Sequence, residues 1–132
     1  MIADMHCDSI LKVSAERGMI SDYNVSAREP YLQFFALFTP ARGQTPEERR
    51  KRLIRLLDVY LYETRRCRLI RADGVAELNR AIDLRAPAAL LSLEGGGGLF
   101  ADSEELTTLY RAGLRAWFTA KEDEGPKDRR PV

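Results

Sequence analysis

The sequence predicts an α/β fold built on a parallel sheet. Short apolar runs alternate with longer amphipathic stretches along the chain, an order typical of strand–helix–strand units. The 132 residues are 45% hydrophobic and 31% charged, which fits one globular domain and argues against a disordered chain. No apolar run approaches the ~18 residues of a membrane span, and the charged N-terminus lacks the pattern of a secretory signal. We therefore expect a cytoplasmic protein with no membrane partner.

The first two strands lie in the N-terminal third of the chain. Residues 1–8 form the first predicted strand, a short helix covers 9–17, and the turn formers of 21–30 predict a loop. Residues 32–39 (Leu-Gln-Phe-Phe-Ala-Leu-Phe-Thr) form the second strand. This strand is apolar enough to be covered on both faces, as strands of parallel sheets are.

The helix that follows carries the strongest local signals. Thr45 is placed to cap its N-terminus, Pro46 stands at the first helical position, and Glu48 completes a capping box. Apolar residues then recur at helical spacing and predict one buried stripe, formed by Leu53, Ile54, Leu56, Leu57, Tyr60 and Leu61.

The rest of the sheet comes from two more strands, each preceded by a helix. A helix begins after Asp73 and shows one apolar face, formed by Val75, Leu78 and Ile82. The compact apolar run 88–93 predicts a strand, the acidic residues at 102–105 begin another helix, and 114–119 form the last strand.

The first group of residues that suggests chemistry is Asp4-x-His6-x-Asp8. In a strand, residues two apart point to the same face, so His6 and Asp8 project together while Met5 and Cys7 face the other way. The carboxyl end of a strand is where α/β folds place their sites, and an imidazole beside a carboxylate suits a divalent ion such as zinc. The alternative is a histidine and an aspartate that are hydrogen-bonded at a strand end and have only a structural role.

Glu94 is the second candidate. It ends an uncharged apolar run and precedes four glycines, 95–98, which allow the backbone to pass close to a ligand. The alternative is a solvated glutamate that opens a flexible loop. A phosphate loop is excluded because no Gly-Lys-Ser/Thr follows the glycines. A His-x-Asp on the first strand together with a Glu at a later strand end is typical of a paired-metal hydrolase, in which the Glu bridges two ions.

Four stretches of the sequence resemble the N-terminal part of the membrane (renal-type) dipeptidases, which are zinc metallopeptidases with a (β/α)8 barrel. Asp4-Met5-His6-Cys7-Asp8 resembles the opening Asp-x-His-x-Asp of that family, and Leu32-Gln33-Phe34-Phe35 its second strand. Leu91-Ser92-Leu93-Glu94-Gly95-Gly96 is similar to its Ile-Glu-Gly-Gly segment. Leu109-Tyr110-Arg111-Ala112-Gly113-Leu114-Arg115 is similar to the stretch that leads into its next strand.

The resemblance implies the N-terminal half of a (β/α)8 TIM-type barrel, with residues 1–120 as a partial metal-dependent hydrolase domain. It implies that His6 and Asp8 bind one zinc ion and that Glu94 bridges two zinc ions as the catalytic carboxylate. It also implies that dipeptides are the substrate and that a metal-bridged hydroxide attacks the scissile carbonyl.

The chain departs from the family at several positions. Gly97 stands where many members have a histidine, and Ala120-Lys121-Glu122 stands where a Thr-His-Asn is common. His6 is the only histidine of the sequence, and a complete barrel takes about 250 residues. Residues 121–132 are almost free of apolar side chains and are expected to form a disordered charged tail. We therefore expect a truncated product with low or no activity alone, whose open sheet edge favours dimerisation or aggregation.

Two other functions stay open at this point. The basic residues of 49–55 and 65–71 suggest a non-catalytic module that contacts phosphate or a partner chain. However, acidic residues alternate with them and the net charge is +1, so a solvated helix face is the simpler interpretation and no nucleic-acid partner is expected. The chain is alternatively one half of an assembly that a second polypeptide completes.

Overall fold

The computed structural model describes residues 2–16, 18–20, 31–40, 43–96 and 103–118. Strands and helices alternate along this part of the chain, and the predicted α/β class is confirmed. The elements are β1 (Ile2–Cys7), α1 (Ser9–Glu16), β2 (Tyr31–Phe38), α2 (Pro46–Arg66), β3 (Ile70–Arg71), α3 (Val75–Asp83), β4 (Ala88–Glu94), α4 (Ser103–Arg111) and β5 (Leu114–Phe118).

The predicted strands and helices are all present, with bounds that differ by one or two residues. The two-residue strand β3 was not predicted from the sequence, because two residues carry no periodic pattern. The predicted loop at 21–30 and the predicted tail at 121–132 lie outside the described residues.

All strand pairs of the sheet are parallel. β1 pairs with β2, and β2 pairs with the whole of β4, from Ala88 to Glu94. The other side of β4 pairs first with β3, at Ala88 and Ala89, and then with β5, from Leu91 to Glu94. The long strands therefore follow the order β1-β2-β4-β5, in which each strand lies beside the next one along the chain, as in a barrel.

The main core lies between the sheet and the first two helices. Phe35, Leu91 and Leu93 are fully buried there, in one cluster with Leu56 and Tyr60 of α2. The rings of Phe35 and Tyr60 lie 6.0 Å apart and are tilted by 55°, a favourable arrangement for aromatic pairs. A smaller cluster covers the opposite face of the sheet and contains Leu32, Ala72, Ala81 and Ala88.

Two of the predicted apolar helix faces were partly wrong. Ile54 of α2 is 61% exposed, and Val75 and Ile82 of α3 are 74% and 41% exposed. α3 instead buries Ala81 and packs Leu78 beside it, so its contact with the sheet is centred on a small residue. Among the described residues, no helix combines the length and the apolar character needed to cross a membrane.

Candidate metal centre

A β-bulge in β1 separates Asp4 from the end of the strand. Asp4 is aligned with Gln33 of β2. Cys7 is aligned with Phe35, so three steps along β1 correspond to two steps along β2. The extra residue places Asp4 and Cys7 on the same face of the sheet. Asp4 accepts a hydrogen bond from the Tyr31 hydroxyl at 3.2 Å, and burial together with the Asp4 carboxylate raises the pKa of that hydroxyl. Asp4 thus belongs to a contact between β1 and β2.

Asp8 follows β1 directly and is exposed at the carboxyl end of the strand. Its carbonyl oxygen accepts hydrogen bonds from the backbone amides of Leu11 at 3.0 Å and Lys12 at 3.4 Å, which begin α1. Cys7 is buried in the helix layer. The side chain of His6 lies outside the described part of the structure, so the predicted alignment of His6 with Asp8 stays a prediction.

Glu94 is the last residue of β4 and is half-buried. Leu91 and Leu93 point into the helix layer, so Glu94, which follows Leu93, lies on the opposite face because side chains alternate along a strand. Its register neighbours are Phe38 on β2 and Phe118 on β5. Cross-strand neighbours share a face, and the carboxylate is therefore flanked by an aromatic residue on each side.

The backbone after Glu94 forms a tight contact with the end of β2. The amide of Thr39 donates to the carbonyl oxygen of Glu94 at 3.0 Å. The Thr39 hydroxyl lies 3.3 Å from that oxygen and 3.2 Å from the carbonyl oxygen of Gly95. The guanidinium of Arg49 also donates to the Gly95 carbonyl. Sequence reasoning missed Thr39 and Arg49, since Arg49 stands in a run of basic residues that predicts a solvated helix face.

Most of the basic residues at the start of α2 make contacts within the chain. Arg49 is buried, and Arg50 forms an ion pair with Glu105 at 3.2 Å. Lys51 pairs with Glu47 at 2.8 Å, and Arg52 donates to the Phe38 carbonyl oxygen at 3.0 Å. These contacts do not favour a phosphate-binding function for this helix.

Within the part of the chain that the structure describes, no group of three or more His, Cys, Asp or Glu side chains lies close enough to hold a metal ion. Asp8 and Glu94 are the two described members of the predicted ligand set. The chemistry of the set, two carboxylates and the imidazole of His6, suits a divalent transition metal.

Comparison with solved structures shows which known fold this chain shares. A dipeptidase of metallopeptidase family M19 superimposes with a TM-score of 0.70 at 16% identity, covering 88% of this chain and 41% of that chain. The chain shares its fold with M19 metallopeptidases. A metallopeptidase from Rhodobacter sphaeroides, bound to a phosphinate mimic of the dipeptide L-Ala-D-Ala, gives a TM-score of 0.71 at 16% identity, with coverages of 88% and 44%. No family model and no curated protein matches the sequence.

The M19 likeness confirms the predicted fold. M19 dipeptidases have a TIM barrel, and this chain spans less than half the length of the two solved proteins. It therefore has part of that fold, in agreement with the order β1-β2-β4-β5 of its long parallel strands.

Proposed function

We propose that this chain is a metal-dependent peptide hydrolase of the dipeptidase type, with zinc as its ion and His6, Asp8 and Glu94 as ligands. The observation that carries the proposal is the position of Glu94, half-buried at the carboxyl end of β4 on the face opposite α1 and α2. In a TIM barrel that face is the interior, and sites lie at the carboxyl ends of the strands. The domain that forms this site would comprise residues 1–120.

The register of the sheet supports a common site for the two strand ends. Cys7 is aligned with Phe35, and Phe35 with Leu91. Asp8 lies one residue beyond β1, so extending this register would place it level with Ser92, two residues before Glu94. In a (β/α)8 barrel the strands are tilted relative to the barrel axis. A residue at a given height along that axis is therefore level with a residue about one position closer to the carboxyl end of the next strand than its register partner. Since β4 is the second strand from β1, this stagger brings Glu94 to the height of Asp8.

The proposed residues have separate roles. A divalent ion at this site would polarise a carbonyl oxygen and lower the pKa of a bound water molecule. Glu94 supplies a carboxylate, and hydrogen bonds from Thr39 hold its backbone, so the point from which the side chain extends is fixed before a metal binds. Phe38 and Phe118 flank it and would exclude bulk water from one side of the substrate. A small dipeptide such as L-Ala-D-Ala, whose mimic the related enzyme binds, is the substrate class to test first.

Metal analysis of purified variants tests the ligand set. We expect one or more equivalents of zinc in the wild type, and loss of zinc in both His6→Ala and Glu94→Gln. Glu104→Gln is a matched control, because Glu104 is an exposed glutamate on α4, and this variant should retain zinc. Unchanged zinc in both ligand variants would overturn the proposal.

We expect hydrolysis by this chain to be weak even where zinc binds. A catalytic zinc ion usually has three protein ligands, and the sequence supplies a single histidine for a site that would hold two ions. Release of alanine from L-Ala-D-Ala, measured with and without chelator, checks this expectation. Fast chelator-sensitive turnover would show that the site is complete without further imidazoles.

A further inference from the structure

The turn after Glu94, residues 94–96, is held in place by groups from two other elements, and we call it the Glu94 turn. Thr39 is fully buried at the end of β2 and uses both its amide and its hydroxyl on the turn. The hydroxyl lies within hydrogen-bond distance of two successive carbonyl oxygens, those of Glu94 and Gly95. These contacts fix the peptide that carries the Glu94 side chain.

Arg49 provides the second attachment from the first turns of α2. Its side chain is buried, and its Nη2 donates to the Gly95 carbonyl and lies 3.5 Å from the Thr39 carbonyl oxygen. One guanidinium therefore connects the end of β2 with the turn after β4. A buried arginine is costly in free energy unless its donors are satisfied, and here Nη2 is directed at two backbone carbonyl oxygens that belong to different strands' ends.

The glycines of the turn are required by the same close packing. Gly95 has a φ of +70°, and a Cβ on it would lie 2.5 Å from the Thr39 carbonyl oxygen. A Cβ on Gly96 would lie 2.7 Å from Nε1 of Trp117. The turn is thus confined by β2 on one side and by β5 on the other, and Arg49 closes it from the helix layer.

From these contacts we propose that Arg49 is a positioning residue that holds the Glu94 carboxylate in its metal-binding orientation. The inference rests on the proposed function and extends it, since Arg49 lies outside the predicted ligand set. The carboxylate carbon lies three bonds beyond the Glu94 Cα, so a shift of the backbone at residues 94–95 would move the start of the side chain and displace the carboxylate relative to Asp8. Groups that orient metal ligands in this way affect metal affinity by roughly 10–100-fold.

The experiment compares Arg49→Ala with Arg52→Ala in the full chain. Arg52 is a matched control, because it lies on the same helix and donates to the Phe38 carbonyl oxygen but has no described bond to the turn. Zinc affinity is measured by calorimetry, the visible spectrum is recorded with cobalt in place of zinc, and amide hydrogen exchange is followed in the peptide that contains residues 94–96.

Arg49→Ala should bind zinc roughly 10–100-fold more weakly than the wild type, with an altered cobalt spectrum and faster exchange in the turn. Arg52→Ala should change none of these three, and Arg49→Lys should recover part of the zinc affinity because one ammonium can still donate to the Gly95 carbonyl. Equal losses of affinity in Arg49→Ala and Arg52→Ala, or wild-type affinity in Arg49→Ala, would overturn the inference.

A wild-type chain that binds no zinc would contradict the proposed function. In that case amide hydrogen exchange alone tests whether Arg49 holds the Glu94 turn in place. Faster exchange in Arg49→Ala but not in Arg52→Ala would support Arg49 as the residue that orders the Glu94 turn. Identical exchange in the two variants would overturn that role as well.

Discussion

At the scale of single residues, Gly95 and Gly43 show two different physical reasons why a position requires glycine. Both have a positive φ, +70° and +76°, which costs other residues about 1–2 kcal/mol. A Cβ on Gly43 would meet nothing within 4 Å, whereas on Gly95 it would lie 2.5 Å from the Thr39 carbonyl oxygen. The positive φ disfavours other residues at both positions. At Gly95, but not at Gly43, the close approach of Thr39 also leaves no space for a Cβ atom.

We therefore expect Gly95→Ala to lower the free energy of unfolding clearly more than Gly43→Ala. The strain shared by both variants is about 1–2 kcal/mol, and the collision in the Glu94 turn adds about 1–3 kcal/mol of the kind seen on overpacking. Urea unfolding of the two variants beside the wild type measures the difference. Equal destabilisation would show that the turn can move away from Thr39 without cost.

Much at the residue scale could not be predicted from the sequence. Glu94 is a candidate from the sequence because a charge that ends an apolar run is a local signal, and its role as a metal ligand stays a prediction. Arg49 gave no such signal, since its neighbours Arg50, Lys51 and Arg52 have the same charge and only the folded chain shows which one is buried. Asp4 was read with His6 and Asp8 because a regular strand was assumed, and the bulge is a property of the pairing with β2.

At the scale of elements, α2 shows how well local signals predict a helix. The capping box is formed as predicted, with the Thr45 amide donating to Glu48 Oε2 at 2.7 Å and the Glu48 amide to the Thr45 hydroxyl at 3.2 Å. The buried face follows Leu53, Leu56 and Tyr60, while Ile54 is exposed. Helical spacing predicts which residues share a side, but the width of the buried stripe depends on how closely the sheet approaches.

The capping box makes the stability of α2 dependent on pH. Hydrogen bonds from the backbone and the hydroxyl of Thr45 hold the pKa of the Glu48 carboxyl below its usual value. A carboxyl with a lowered pKa in the folded state stabilises the fold above its unfolded pKa, and this contribution is lost as the pH falls through the folded value. The wild type should therefore exceed Glu48→Gln in unfolding free energy at neutral pH.

That difference should shrink as the pH is lowered through the pKa of Glu48, because both side chains are then uncharged. Chemical unfolding of the two proteins at a series of pH values from neutral to acid measures it. A difference that stays constant over the acid range would show that the charge of Glu48 contributes nothing to the cap.

At the scale of the whole molecule, the order of the long strands was the easiest feature to predict from the sequence. What continues or covers the sheet beyond its last strand was the hardest. Parallel strands joined by helices are evident from the alternation of apolar and amphipathic segments. The sequence does not reveal what covers the far side of β5, since that depends on contacts between distant elements. In the described part of the structure β5 pairs with β4 alone, and large apolar side chains are exposed beside it: Tyr110, Trp117 and Phe118.

An edge strand with exposed apolar side chains pairs readily with another chain, and a lysine on the edge prevents this. We expect the protein to self-associate with increasing concentration and Phe118→Lys to shift it towards the monomer, as measured by sedimentation velocity. Tyr62→Lys is the matched control, because Tyr62 is 64% exposed on α2, a helix that packs against α1 and β2. If β5 is the associating edge, this control should sediment like the wild type. A wild type that stays monomeric at every concentration, or an equal shift in both variants, would exclude β5 as the contact.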